Sequence, residues 1–243
     1  ISACLVGSEM CIRDRAYTGL ELDRLTAMFF NLNSAETNDT LQAEAQRISP
    51  LLAEYSNDIR LNEALFQRVK AIYNQREQLS LTAEQQTLLE KTYKSFTRNG
   101  ANLSLNDKGR LREIDKQLAT LKLKFSKNVL AETQHYQWMI TDKNTLSGLP
   151  DFVLEMLAQE AKKRKVQGWV ITLDLPVYTA VMKYADNRDL RQKLFIDYHS
   201  RCAGESAYNN EDNVLRIAQL RQTRASLLGY PNYATFALEE RMA

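Results

Sequence analysis

The hydrophobic pattern of this chain is built from apolar residues three and four positions apart, a spacing that places side chains on one face of an α-helix. The segments that follow it are Leu25, Met28, Phe29 and Leu32; Leu61, Leu65, Val69 and Ile72; Leu111, Ile114, Leu118, Leu121 and Phe125; Leu190, Leu194 and Tyr198; and Val214, Ile217, Arg221, Ala225 and Leu228. Only eight glycines and four prolines occur in 243 residues, so few positions favour turns. The pattern therefore predicts a mainly α fold of antiparallel helices.

Polar residues and glycines set the predicted ends of the middle helices. Thr82 and Gln85 have the spacing of a capping box, in which each side chain bonds the other residue's backbone amide. The helix that follows is predicted to stop at the pair Asn99 and Gly100. The longest helix is predicted to begin at position 106 or 107 and to reach about residue 132.

Prolines and caps make further predictions at both ends of the chain. Pro50 lies inside a predicted helix that begins near residue 38, so it should kink or divide that helix. Asn187 is predicted to cap one helix, and Gly229 to follow the end of the next. Pro231 is predicted to stand in the first turn of a last helix, which carries no stop signal in the sequence.

Two short segments depart from the helical spacing. Residues 136–141 and 169–173 are rich in aromatic and β-branched side chains, which is typical of strands. Between them, residues 150–165 are predicted to form one helix. We expect the two segments to pair as one small β ribbon within a mainly α protein.

The first fifteen residues differ from the rest of the chain. They read ISACLVGSEMCIRDR and contain Cys4 and Cys11, two of the three cysteines. The polar residues at positions 7–9 interrupt the apolar core that a secretory signal needs. Because the stretch resembles translated sequencing-adapter sequence, we interpret residues 1–15 as a non-native leader and residues 16–243 as one helical region; a native leader is the alternative.

Composition and charge narrow the classes of partner. Charged residues are 26% and the net charge is +2, which argues against a nucleic-acid or membrane surface. Only Cys202 remains outside the leader, so the sequence has no disulfide framework and a reducing compartment is allowed. We expect a cytoplasmic protein and leave the periplasm open.

Three residues are candidates for catalysis or metal binding. The two histidines, His135 and His199, do not form H-E-x-x-H, the helical pattern in which two imidazoles hold zinc and the glutamate acts as a base. The functional alternatives are a metal site assembled from distant residues and a Cys202–His199 nucleophile pair. We favour surface or half-buried imidazoles and a small core thiol. We therefore predict no catalytic residue and no metal ligand in this chain.

Two groups of basic residues are candidate binding residues. The run Lys162-Lys163-Arg164-Lys165 could contact nucleic acid, but its place at the end of a predicted helix favours interaction with the helix dipole. The second group is Arg188, Arg191, Arg201, Arg216, Arg221 and Arg224. Arg221 falls on an apolar stripe, so we expect it to be partly buried and paired with a carboxylate or carbonyl. Structural salt bridges and a peptide-carboxylate site are both open for this group, and the substrate-binding residues stay unknown.

Several short motifs follow one another along residues 20–243. They are Asn31-Leu32-x-x-Ala35-x-Thr37-Asn38, Ser49-Pro50-Leu51-Leu52, Asp58-Ile59, Leu65-Phe66-x-Arg68-Val69-Lys70, Phe96-x-Arg98-x-Gly100-Ala101, Gly148-Leu149-Pro150, Asn187-Arg188-x-Leu190-Arg191, Leu220-Arg221 and Leu227-Leu228-Gly229-Tyr230-x-Asn232-Tyr233-Ala234. In this order they resemble the Dcp and oligopeptidase A group of the thimet oligopeptidase family, which are zinc metallopeptidases.

The resemblance implies the N-terminal part of a larger peptidase, cut off before its catalytic domain. In that family zinc is held by the H-E-x-x-H histidines and a later glutamate, and N-terminal helices form a wall of a channel that admits oligopeptides. Dcp-type enzymes release C-terminal dipeptides; an oligopeptidase A-like endopeptidase is the close alternative, and a non-catalytic helical interaction module is another.

The same resemblance implies properties of the isolated chain. We expect zinc in the full-length protein with its ligands outside this chain, and oligopeptide substrates and a catalytic domain as partners. The isolated chain should be inactive. Apolar stripes left exposed, especially on the last helix, should make it marginally stable or self-associating.

Overall fold

The computed structural model describes residues 19–241, so the predicted leader lies outside the described residues. The helices are α1 (Leu20–Ala35), α2 (Asp39–Arg60), α3 (Glu63–Asn74), α4 (Ala83–Arg98), α5 (Leu105–His135), α6 (Asp151–Lys163), α7 (Leu175–Tyr184), α8 (Arg188–His199), α9 (Glu211–Leu227) and α10 (Tyr233–Leu238), with short 3-10 turns at Arg76–Gln78 and Lys143–Leu146. The strands are β1 (Trp138–Ile140) and β2 (Trp169–Ile171). The predicted mainly α class with one small β ribbon is confirmed.

The described residues form two compact units. Unit 1 contains residues 19–123 and 217–241, and unit 2 contains residues 124–216. The long helix α5 and helix α9 each contribute residues to both units.

Predicted helix starts are confirmed where a side chain caps the first turn. The Thr82 hydroxyl accepts from the Gln85 amide, and the Gln85 side chain accepts from the Thr82 amide, which completes the capping box. The Asn187 side chain accepts from the amides of Asp189 and Leu190. These contacts satisfy amides that have no partner within their own helix.

Two helices end at a glycine in the left-handed conformation, as the sequence predicts. Gly100 follows α4 with φ +94° and Gly229 follows α9 with φ +85°. At each end the amide after the glycine bonds a carbonyl five residues earlier, Ala101 to Phe96 and Tyr230 to Ala225. A β-carbon at Gly100 would lie 2.7 Å from the Leu111 side chain, so glycine is also needed there for close packing.

The structure corrects the predicted division of one helix and the predicted starts of two others. Helix α2 continues undivided through Pro50, since a proline removes only its own amide donor, so the division is wrong and a kink stays a prediction. Helix α5 begins at Leu105, because the Ser104 hydroxyl accepts from the Asp107 amide and acts as the cap. The last helix is only six residues long, and Asn232 caps it, so Pro231 precedes the cap instead of entering the first turn.

Unit 1 has two apolar clusters. Phe66 and Val69 of α3 pack with Phe96 of α4 and with Ala101. The second cluster joins α5 to α9 and consists of Ile114, Leu118, Ile217 and Leu220. Arg98 secures the last helix α10, since its guanidinium lies 4.2 Å from the Phe236 ring and 3.3 Å from the Glu239 carboxylate.

Unit 2 is organised around the β ribbon. Strands β1 and β2 pair antiparallel, with Met139 opposite Val170. Ile171 is fully buried and belongs to one cluster with Val153 and Leu157 of α6 and Leu194 of α8. Each strand pairs over three residues, and β2 packs against α6.

Two predicted apolar stripes are not buried as expected. On α9, Val214 is 47% exposed whereas Leu220 is 4% exposed, so the buried face continues from Ile217 toward the C-terminal end. On α1, the residues Leu25, Met28 and Leu32 keep half or more of their surface exposed. The largest exposed stripe thus lies on the first described helix.

Candidate functional site

The two histidines occupy separate places in unit 2 and both are exposed. His135 Nδ1 lies 2.7 Å from the Ala131 carbonyl oxygen and 3.3 Å from the Tyr208 hydroxyl. His199 Nδ1 lies 2.9 Å from the Phe195 carbonyl oxygen, and its ring packs on the Phe195 ring. Both imidazoles therefore make local contacts with their own helix, in agreement with the favoured structural interpretation.

Cys202 is buried and its backbone adopts a positive φ of 59°. Its amide donates to the Glu132 carboxylate at 2.6 Å, and the same carboxylate accepts from the Ser206 hydroxyl. Burial, and then the Glu132 carboxylate, raise the pKa of the Cys202 thiol to about 11. A thiol that stays protonated is a weak nucleophile, so these contacts favour a structural role.

The basic run 162–165 lies at the end of α6, where the sequence predicts it. Lys163 and Arg164 both pair with Glu160 one turn earlier. Lys165 follows the helix end with φ +57°. The run therefore stabilises the helix terminus through the dipole and local ion pairs.

The predicted arginine set is divided between the two units. In unit 2, Arg191 donates to the carbonyl oxygens of Ala185 and Asp186, and Arg201 stacks 3.9 Å from the Tyr198 ring and donates to Thr133. Arg188 lines a shallow depression of about 390 Å³ together with Arg191. Arg216 is exposed on α9. Arg191 and Arg201 therefore support local structure.

The two arginines of the set that belong to unit 1, Arg221 and Arg224, line one pocket of about 370 Å³, which we call the basic pocket. Arg60 of α2, Lys122 of α5, and Arg221 and Arg224 of α9 contribute its positive charges. Asp115 of α5 is the one acidic side chain among its lining residues in the described chain. Four cationic groups thus face a single carboxylate.

Arg224 neutralises that carboxylate. Its Nε donates to Asp115 at 2.7 Å and its second amino group donates to the Asn99 side chain, and it is only 12% exposed. Arg221 is half-buried, as predicted, and its guanidinium lies 5.2 Å from the centre of the Tyr233 ring. Within residues 19–241 it has no carboxylate or carbonyl partner, so that part of the prediction is wrong; Arg224, three residues later, forms the ion pair.

The surroundings of Arg60 disfavour its positive charge. Neighbouring protein atoms remove water from the guanidinium and so lower the pKa of Arg60. The positive charge of Arg224 lowers this pKa further, whereas the Asp115 carboxylate raises it. Arg60 also keeps an open path to solvent, so an incoming anion can reach it. Sequence reasoning missed Arg60, Lys122 and Asn57, because each lies far along the chain from the arginine-rich segment.

The described residues offer no metal centre. Within 19–241 no group of three or more histidine, cysteine, aspartate or glutamate side chains could hold a metal ion. In the same range, no helix combines the length and apolar character needed to cross a membrane.

Comparisons with known proteins give the context for these features. The family model described as Peptidase family M3 matches residues 181–243. The dipeptidyl carboxypeptidase of Salmonella typhimurium is 33% identical over 227 residues, which are 93% of this chain and 33% of that protein. Oligopeptidase A of Escherichia coli is 29% identical over 226 residues, 91% of this chain and 33% of that protein. An organellar oligopeptidase A of Arabidopsis thaliana is 32% identical over 232 residues, 91% of this chain and 29% of that protein.

The resemblance stated from the motifs is confirmed: homology to the Dcp and oligopeptidase A group covers most of this chain. The chain spans about one third of the length of these curated relatives.

Proposed function

We propose that this chain is the N-terminal part of a zinc metallopeptidase of family M3 that hydrolyses oligopeptides and releases C-terminal dipeptides. The observation that carries the proposal is the match to a dipeptidyl carboxypeptidase over 93% of this chain. The motifs that carry the likeness run through both units, so the proposal concerns the whole chain and not a single segment.

We propose that the full-length protein binds zinc, as its resemblance to family M3 implies, whereas residues 19–241 offer no zinc site. The sequence contains no H-E-x-x-H, and the two histidines bond carbonyls of their own helices. Bound zinc in such enzymes polarises the scissile carbonyl and lowers the pKa of a water molecule. We propose that its ligands lie outside this chain, and no catalytic step is assigned to residues described here.

The proposed role of this chain is to form a wall of the substrate channel. Its helices would restrict which peptides reach a catalytic domain without taking part in the chemistry. We propose a cytoplasmic location, with the periplasm as the alternative, and oligopeptides as the partners.

A paired hydrolysis assay tests the proposal. The longer gene product and the 243-residue chain are each incubated with a blocked pentapeptide, and products are identified by mass spectrometry. We expect the longer product to release the C-terminal dipeptide, to lose activity with a chelator and to regain it with zinc, whereas the 243-residue chain stays inactive. Cleavage by the 243-residue chain alone would contradict the placement of the zinc ligands.

A second substrate distinguishes the close alternative, which is favoured by the identity to oligopeptidase A. The same pentapeptide is tested with a C-terminal amide, which lacks the negative charge of the terminal carboxylate. A peptidyl-dipeptidase that recognises this carboxylate should not cleave the amide. Loss of cleavage supports dipeptide release. Unchanged internal cleavage supports an oligopeptidase A-like endopeptidase, and no cleavage of either peptide by the longer product contradicts both.

A further inference from the structure

The basic pocket of unit 1 has more positive charge than its own residues neutralise. Arg60, Lys122, Arg221 and Arg224 line it together with Asp115. Arg224 and Asp115 form one ion pair, which leaves three cationic groups for one open pocket. Like charges held near one another repel, so an anion in the pocket would be stabilised by relieving that repulsion.

The side chain of Asn57 also lines this space, and the residue as a whole is 4% exposed. Within residues 19–241 its amide makes no hydrogen bond to protein, so it is available to a molecule in the pocket. The Asn57 NH₂ group can donate to an anionic oxygen in the pocket, which adds one neutral donor to the cationic groups.

One side of the pocket offers apolar surface, although Ser56 and Asn99 also belong to its lining. Tyr233 and Phe236 of α10 and Leu118 of α5 present carbon surface to the same cavity. A phosphate or sulfate has no group to place against these rings. A carboxylate attached to an apolar group fits both the cationic and the apolar surface of the pocket. Its two oxygens match the planar fork of a guanidinium, and the apolar group can pack on the rings.

We propose that the basic pocket binds the C-terminal residue of a peptide, with the carboxylate on Arg60 and Arg221 and the apolar side chain on Tyr233 and Phe236. Its volume of about 370 Å³ lies at the lower end of the range for small-ligand sites, roughly 300–1,000 Å³, and suits one or two residues. We infer the binding of a carboxylate from the residues of the pocket alone. The inference that this carboxylate belongs to a peptide rests on the proposed function.

Calorimetric titration of the 243-residue chain with the dipeptide Ala-Phe tests this site without requiring hydrolysis. We expect saturable binding of Ala-Phe, binding of its C-terminal amide at least about tenfold weaker, and no competition by inorganic phosphate at equal concentration. Arg221→Gln and the exposed Arg60→Gln should each weaken binding about tenfold. Lys91→Gln removes one charge from an exposed position of α4 outside the pocket lining and should leave binding within about twofold.

Several outcomes would overturn the proposal. Equal binding of the acid and the amide, or no binding of either, removes the carboxylate subsite, and displacement by phosphate makes it a general anion site. The titration is repeated on the longer gene product to identify the source of the carboxylate. If the longer product no longer binds Ala-Phe, a carboxylate of the protein itself fills the pocket, and the peptide ligand is refuted. Because binding is read separately from cleavage, a failed titration leaves the hydrolysis result standing, and the reverse also holds.

Discussion

Lys165 adopts a backbone conformation that is unfavourable for a residue with a β-carbon. It follows α6 with φ +57°, and the amides of Lys165 and Val166 bond the carbonyls of Lys162 and Ala161. This is the hydrogen-bond pattern that Gly229 makes after α9.

Lys165→Gly should therefore stabilise the chain by about 1 kcal/mol, because glycine reaches the left-handed region without steric strain. Denaturant unfolding followed by circular dichroism measures the change. Gly229→Ala is the matched reverse substitution: a β-carbon there meets no atom within 4 Å, so its destabilisation reports backbone conformation alone. Equal stability of Lys165→Gly and the wild type would contradict the argument.

The Cys202 thiol predicts an alkaline loss of stability. Burial and then Glu132 raise its pKa from 9.0 to about 11. A group whose pKa is higher in the folded state than in the unfolded state contributes its full stabilisation below the unfolded-state pKa. That stabilisation is lost as the pH rises from the unfolded-state pKa through the folded-state pKa. The unfolding free energy should therefore fall by up to about 2 kcal/mol more in the wild type than in Cys202→Ser between pH 9 and 11. Serine keeps a hydroxyl for Glu132 but does not titrate, so parallel pH profiles would contradict this assignment.

At the scale of one element, the capping box of α4 separates a side-chain cap from helix propensity. Thr82→Ala removes the hydroxyl that accepts from the Gln85 amide and should destabilise unit 1 by about 1 kcal/mol. Thr87→Ala on the exposed face of the same helix is the control, and it should be neutral or slightly stabilising because alanine has the higher helix propensity. Both are measured by thermal unfolding, and similar losses in the two variants would mean that the cap is not the cause.

Local features of the helices could be predicted from the sequence, and long-range ones could not. Thr82 finds its partner three residues away, so the signal and the contact lie in one short segment. On α9 the same spacing extends from Ile217 to Val214 in one direction and to Leu220 in the other, and only packing against α5 selects Leu220. The basic pocket combines residues from four helices, and no local pattern brings Arg60 near Arg221.

At the scale of the whole molecule, the exposed face of α1 predicts self-association of the isolated chain. Leu25 and Met28 are 64% and 65% exposed, and Leu22 and Leu32 extend the same face. Adjacent apolar side chains that remain in water favour association with another apolar surface. The exposed apolar surface therefore lies on α1, whereas the sequence predicted it mainly on the last helix.

The double substitution Leu25→Lys with Met28→Lys should weaken self-association at least about tenfold, because two large apolar side chains no longer leave water on contact. Light scattering coupled to gel filtration measures the molar mass across a concentration series. Leu105→Lys, at a single side chain that is 88% exposed, should leave the association unchanged. A wild-type chain that stays monomeric over the series would refute the prediction.

The discontinuity of unit 1 has a consequence for how the protein is made. Ile114 and Leu118 can pack only after Ile217 and Leu220 have been synthesised, because these four residues form one apolar cluster. The hydrogen bond between Asp115 and Arg224 likewise joins residues 109 positions apart. On a ribosome that adds roughly 5–20 residues per second, that interval lasts about 5–20 seconds. During it the nascent segment before residue 123 has no permanent partner for this face, while unit 2 can already fold as it emerges. Synthesis order and chaperone access are thus expected to matter most for the half of the chain that is translated first.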